Sequence, residues 1–328
     1  MFHIMNESRL EIGAQGFSHA SAAYLYAVNY ARERLQGKDL ETDKDPEAPQ
    51  VPIIRHPDVR RMLLWMKAYV DGMRSFIYYV SCCFDMEACA KTQEEKERYT
   101  GLIELLTPLV KAYCTNRGFS VCEQAVQVYG GHGYIKEYPV EQLLRDSKIA
   151  SLYEGTNGIQ AMDLLGRKLG MKKGAVFNDL LQEIQKTVAQ AANIVELNEL
   201  TVKTKEAADC LQETAMQIGK TATSPDFKVA YAFAGPFLEV MGDVIMAWMH
   251  LWRAKTACPK LKTLVGKADK ESRKDIIRKN KDAAFYDGQI KTASYYINAI
   301  LPATLGKMDA IKGGDRAVVE IDEKSFGG

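Results

Sequence analysis

Strand-like alternation of apolar and polar residues is almost missing from this 328-residue sequence, which leaves an all-α chain as the expected fold class. A charge excess is missing as well. With 43 basic against 42 acidic residues, nothing favours nucleic acid or an anionic membrane surface as partner. There is no signal peptide and no apolar run long enough to cross a bilayer, so no membrane partner is expected. The seven cysteines form no CxxC pair and are odd in number. Several lie in apolar helical patterns, which reads as reduced, buried thiols in a reducing compartment, the cytoplasm. No Cys or His cluster has ligand spacing, so no metal is expected. What is present is 47% hydrophobic and 26% charged residues, the balance of a soluble globular protein with a substantial core.

Helical periodicity fills the chain. Val59, Leu63, Met66, Val70, Met73, Ile77 and Val80 keep a 4-3-4-3 spacing that paints one stripe on a long helix, with Pro57 suited to its first turn. Such a stripe is a bundle seam. A helix over about Asn6 to Leu35 precedes it, with Gly13, Gly16, Ala20, Ala23 and Ala27 permitting close helix contact. The Pro-rich acidic stretch from Asp39 to Pro57 reads as a loop. A third helix is expected over Gly101 to Tyr129, with Pro108 marking a start or a kink. Shorter ones are expected from Pro139 to about Asp146 and from Asn157 to Leu169.

Residues 1–169 therefore read as one antiparallel helical bundle and residues 170–328 as an additional helical domain. In the latter, Phe177, Leu181, Ile184, Val188 and Val195 recur at helical steps. Ser224-Pro225 suits the N-cap and first turn of a long helix, and another is expected from Glu271 to Leu301, stopping before Pro302. The apolar stripes predict a docked layer, with a strand-like run at Ala317 to Ile321 in a loosely held tail.

Two stretches stand apart from generic bundle sequence. One is Gln127-Val128-Tyr129-Gly130-Gly131-His132-Gly133-Tyr134, followed by Glu137-Tyr138-Pro139-Val140-Glu141 and Arg145-Asp146. The other is Tyr153-Glu154-Gly155-Thr156-Asn157-Gly158-Ile159-Gln160. Glu154 sits in a loop beside an aromatic ring and a glycine that lets a ligand approach, and Thr156 or Asn157 caps the next helix. A partly dehydrated carboxylate there could serve as a base. Most loop glutamates, however, are merely solvated. Gly130-Gly131 alone reads as a helix stop and is no dinucleotide fingerprint, because no strand precedes it.

Together, in this order and spacing, the two stretches resemble the signature of the carboxyl-terminal bundle of the acyl-CoA dehydrogenase family. Arg9 and Arg34 fall where that family places arginines. The resemblance covers residues 1 to about 169, and the remainder is similar to the extension of a subgroup acting on 3-methylthiopropanoyl-CoA and related substrates. It implies FAD-dependent α,β-dehydrogenation of an acyl-CoA, with Glu154 taking the α-proton while hydride passes to the flavin. Tyr153 and Gly155 would line the acyl channel, and Arg9, Asn6 and Met5 would lie near the CoA portion. Arg34, Gln36, Gln127 and Gly131 would reach the FAD of a neighbouring subunit, and Thr156 its own. Gly158 stands where many members carry a glutamine that contacts FAD.

The resemblance also implies an electron-transfer flavoprotein as acceptor and a homo-oligomer, dimer or tetramer. In that family an amino-terminal helical domain and a middle β-domain precede the bundle. This sequence opens directly into the bundle's first helix, like a fragment, a separately encoded half or a truncated paralogue. By itself it is expected to bind FAD weakly and not to turn over. The rival expectation is a non-catalytic helical remnant that oligomerises or binds CoA esters; oxidase chemistry would differ in oxygen access. His132 reads equally as a cofactor contact or a turn cap. His19 and His250 read as packed or surface residues, the tyrosines at 24, 26, 30, 78 and 79 as core or interface residues, and Cys82 and Cys83 as buried, inert thiols.

Overall fold

The computed structural model describes residues 2–41 and 45–327. Among them no strand forms, and a single antiparallel bridge between Leu35 and Pro52 is all that resembles sheet pairing. The all-α expectation holds. Packing divides the chain into two compact units, Met1–Ile77 with Val110–Thr156, and Tyr78–Leu109 with Asn157–Gly328.

In the first unit, α1 (Phe2–Glu33) lies against the second half of α3 (Gln93–Tyr129). Glycines make the approach possible. A Cβ on Gly118 would stand 2.4 Å from the Gly16 carbonyl oxygen, and one on Gly13 would stand 2.8 Å from that of Val110. The two backbones touch directly, and Ala20, Ala23 and Ala27 are fully buried along the same helix. In α2 (Pro57–Ala88), the expected stripe is buried at Leu63, Met66, Val70, Met73, Ile77 and Val80. A tight turn over Gly130–Tyr134 then leads to α4 (Val140–Ser147), which packs on α1.

The second unit is built around α9 (Ala234–Val265), whose residues 240–251 are buried on every side. A helix apolar all round has to be a core element. Around it pack α5 (Asn157–Asp163), α6 (Ala175–Ala191), α7 (Asn198–Ala222), α11 (Lys281–Tyr295) and α12 (Leu301–Gly313). The layer after Gly170 docks on the first half of α3, where Arg98 pairs with Glu183 at 2.5 Å. Just before that glycine, Lys168 pairs with Glu104 at 2.9 Å. No helix among the described residues is long and apolar enough to cross a membrane.

Several expectations are corrected. The third helix begins at Gln93, not Gly101, because a capping box starts it. The Thr92 hydroxyl accepts the Glu95 N–H at 3.1 Å, and the Glu95 carboxylate accepts the Thr92 N–H at 3.3 Å. Pro108 lies inside that helix. Val195 is 78% exposed beyond the end of α6, so the stripe stops at Val188. Ser224-Pro225 precedes only the short α8 (Phe227–Ala232).

The long helix from Glu271 is broken at Asn280, between α10 (Lys270–Lys279) and α11. The Asn280 side chain accepts the N–H groups of Asp282 and Ala283 and so starts a new helix. Nor does the helical path stop before Pro302, which sits in the first turn of α12, where a missing N–H costs little. The strand-like run is instead the helical turn α13 (Ala317–Glu320), with Arg316 held by Asp226 and Glu320 at 2.7 Å each. Cys82 and Cys89 are exposed, while Cys83, Cys114 and Cys122 are buried. Burial pushes the Cys83 thiol up to about 12. Tyr26 and Tyr78 are exposed and so lie outside the core.

Candidate functional site

Glu154 has φ +54° and is followed by Gly155 at φ +82°. Glycine adopts that left-handed conformation freely, whereas for a glutamate it costs roughly 1 kcal/mol or more. Such strain persists only where the surroundings enforce it. One visible restraint is at the preceding residue, since the Tyr153 hydroxyl donates to the side-chain oxygen of Gln15 on α1. Glu154 itself is exposed, so the expected dehydration is not present in this structure. Both Glu154 and the half-buried Arg9 on α1 lie in electrostatic reach of Lys111 on α3. Arg9 Nε is buried without a hydrogen-bond partner. Met5 and Asn6 are half-buried on α1, and Thr156 is exposed.

A recess of about 640 Å³ opens elsewhere in the same unit. Arg34, Gln36, Gln127 and Gly131 all line it, although the first pair and the second come from opposite ends of the bundle sequence. Thr156 does not line it. A Cβ at Gly130 or Gly131 would meet nothing within 4 Å, so both main chains border open space. The rim at Gln36 is fixed by His56, whose Nε2 lies 2.7 Å from the Gln36 carbonyl oxygen.

An aromatic cluster borders the recess. The Tyr30 ring stacks on Tyr129 at 4.0 Å, and His132 stacks on Tyr138 at 4.7 Å. Tyr30 Oη and His132 Nδ1 share a 2.8 Å hydrogen bond whose donor depends on the tautomer. Burial, the larger influence, pushes the Tyr30 phenol up while Arg34 pulls it down. His132 is thus anchored by Tyr30. His19 and His250 are packing residues: His19 Nδ1 lies 2.9 Å from the Gln15 carbonyl oxygen, and His250 is fully buried against Tyr296.

Chemically, the recess suits an extended polyanion. The Arg34 guanidinium offers a fork that pairs two phosphate oxygens, and two glycines let such a group approach the main chain. The donor set therefore fits the pyrophosphate of a dinucleotide cofactor.

Residues 1–169 match the family model described as Acyl-CoA dehydrogenase, C-terminal domain. The chain belongs to the acyl-CoA dehydrogenase family. Its residues 180–322 match a second model, Acetyl-CoA dehydrogenase C-terminal like. Among curated relatives of this acyl-CoA dehydrogenase family member, a butyryl-CoA dehydrogenase of Syntrophomonas wolfei is 33% identical over 99% of this chain and 51% of the relative. A 3-methylmercaptopropionyl-CoA dehydrogenase of Ruegeria pomeroyi is 34% identical over 92% of this chain and 48% of the relative. The chain thus spans about half the length of the curated relatives it matches.

The fold recurs in solved structures. Caenorhabditis elegans ACDH-11 in complex with C11-CoA matches with a TM-score of 0.71 at 14% identity, over 97% of this chain and 47% of that one. An acyl-CoA dehydrogenase complexed with FAD from Bacillus anthracis matches at 0.62 and 18% identity, over 95% and 53%.

Sequence reasoning did not single out Lys111. It is fully buried, and burial first and the Arg9 charge second push its ammonium down to about 8, with Glu154 opposing. A signal existed, a single cation in the apolar run Leu109-Val110-Lys111-Ala112-Tyr113. Only the fold reveals what it faces.

Proposed function

We propose that this chain provides the proton-abstracting face and part of the cofactor-binding surface of an FAD-dependent acyl-CoA dehydrogenase. The observation that carries this reading is the convergence of Arg34, Gln36, Gln127 and Gly131 on one recess whose donors suit a pyrophosphate. Residues 1–169 act as the catalytic bundle domain and residues 170–328 as an additional helical domain.

Glu154 is the base. Its carboxylate takes the α-proton of an acyl-CoA thioester, and the left-handed backbone at Glu154 and Gly155 presents it beyond the helices on either side. A main-chain N–H at this loop receives the thioester oxygen as enolate charge develops, a contact that strengthens toward the transition state. Tyr153 and Gly155 line the acyl channel. Met5, Asn6 and Arg9 face the CoA portion, where the unpaired Arg9 Nε suits an anionic or carbonyl oxygen. Arg34, Gln36, Gln127 and Gly131 hold the cofactor's phosphates from a neighbouring subunit, and Thr156 contacts the subunit's own cofactor. Bound flavin supplies the acceptor for the β-hydride. The working assembly is a homo-oligomer, dimer or tetramer, in the cytoplasm, and it passes electrons to an electron-transfer flavoprotein.

The test is Glu154→Gln in the flavin-loaded enzyme that contains this chain. The change keeps size and hydrogen bonding but removes proton acceptance. Acyl-CoA affinity should stay within a few-fold, and single-turnover flavin bleaching should slow by about a thousandfold or more. Bleaching at the wild-type rate would refute the assignment.

A further inference from the structure

A side chain on left-handed backbone relaxes to ordinary geometry unless its surroundings prevent it. Glu154 and Gly155, at φ +54° and +82°, are two left-handed residues in succession. What restrains their loop therefore sets where the carboxylate stands. The approach to the loop is fixed by main chain. The turn Lys148–Ser151 lies against α1, and the Tyr153 N–H donates to the Ile149 carbonyl oxygen at 3.2 Å. The Tyr153 side chain then reaches back to α1, where its hydroxyl donates to the carboxamide oxygen of Gln15.

Gln15 is built into a part of α1 that cannot give way. It is half-buried, and its own carbonyl oxygen lies 2.9 Å from His19 Nδ1. The next residue, Gly16, is pressed so closely on α3 that a Cβ there would stand 2.8 Å from the Thr115 Cα. The helix has no room to slide or roll at this point. The Tyr153 ring, by contrast, is 37% exposed, so packing alone does not fix it and the hydroxyl supplies the restraint.

We propose that Gln15 is a positioning residue for the reaction: through the Tyr153 hydroxyl it holds the Glu154 loop against α1, in the geometry from which the carboxylate reaches the substrate. This rests on the reading of Glu154 as the base. The chemistry of the pair suits the task. An amide oxygen accepts the phenol's hydrogen without carrying charge, so it anchors the loop without placing a second carboxylate beside the base. The benefit is steep, because misplacing a reacting group by about 1 Å can cost on the order of a hundredfold in rate. Gln15 moves no proton; it acts through Tyr153.

The experiment is a double-mutant cycle in the flavin-loaded enzyme that contains this chain. Gln15→Met, Tyr153→Phe and the double variant are compared by single-turnover flavin reduction, acyl-CoA affinity and urea midpoint. Gln15→Met should slow reduction about tenfold while affinity stays within a few-fold and the midpoint stays near wild type. Tyr153→Phe keeps the ring, removes the hydroxyl and should lose a similar factor. The double variant should be no slower than the slower single one, because both changes break the same bond. If Gln15→Met does not fold, Tyr153→Phe alone reads that bond.

Reduction at the wild-type rate in either single variant would overturn the proposal. So would losses that multiply in the double variant, which mark two independent roles. A slower rate matched by an equal loss of affinity, or by a lowered midpoint, marks a packing role and overturns it as well. Glu154→Gln separates the anchor from the base. If that variant is inactive while Gln15→Met is normal, the anchor fails and the base survives. Normal reduction in Glu154→Gln removes the base itself.

Discussion

In the unit around α9 the deepest acidic group is Asp243, 2% exposed at its side chain, and it is answered from within the unit. Thr304 donates to its carboxylate at 3.1 Å, and Lys307 lies at 3.4 Å from the same oxygen. The Trp248 indole N–H likewise reaches the Thr187 hydroxyl at 2.8 Å. In the unit around α1, Lys111 is at least as deep, and Arg9 and the strained, exposed Glu154 lie within its electrostatic reach. In the first case a buried acid is met by a hydroxyl and a cation of its own unit. In the second, two cations and a carboxylate on left-handed backbone share one corner of the unit. That backbone is strain which the fold sustains.

The comparison can be tested from its stronger side first. Asp243→Ala should destabilise the second unit by about 2 kcal/mol, because it leaves the buried Thr304 hydroxyl without its acceptor and opens a cavity in α9. Urea unfolding should show a lower midpoint while acyl-CoA binding by the first unit is unchanged. No loss of stability would mean that the network around α9 contributes little.

Lys111→Met should change how stability depends on pH. Burial pushes the folded ammonium down to about 8 against an unfolded value of 10.5, so the folded state binds fewer protons between those limits. Wild-type stability therefore rises with pH from about 8 to 10.5. Methionine removes that dependence. The stability difference between variant and wild type should shift by about 2–3 kcal/mol in favour of the wild type across that window. Denaturation at pH 7 and pH 10 measures it. A difference that does not change with pH would show that Lys111 does not carry this dependence.

The smallest effect is expected at the turn before α6, where Lys172 and Lys173 have φ of 48° and 58°. Like Glu154, Lys173 is exposed, but it serves no proposed chemistry. Lys173→Gly should relieve the left-handed strain and stabilise the second unit by about 1 kcal/mol. Flavin reduction should not change. An altered reduction rate would tie this turn to the site.

Much of this was legible in the sequence. The apolar stripe from Leu63 to Val80, the small residues of α1 and the Pro57 start of α2 are local patterns, and local patterns determine helices. The stretches around Gly130 and Glu154 carried the family resemblance that the matched family model supports. Even the missed start of α3 was written in the sequence, as Thr92 followed three residues later by Glu95.

Tertiary structure decided what periodicity cannot express. Arg34 and Gln127 become neighbours only because α1 and α3 pack together, and the recess they share exists in no local segment. Asn280 breaks a helix that its flanking pattern would continue, because its side chain competes for backbone N–H groups. Lys111 stood in the open text of an apolar helix, but a lysine's cost and use depend on its surroundings. Burial, the nearness of Arg9 and the left-handed turn at Glu154 all arise when segments distant in sequence are pressed together. Electrostatics acts through space and not along the chain.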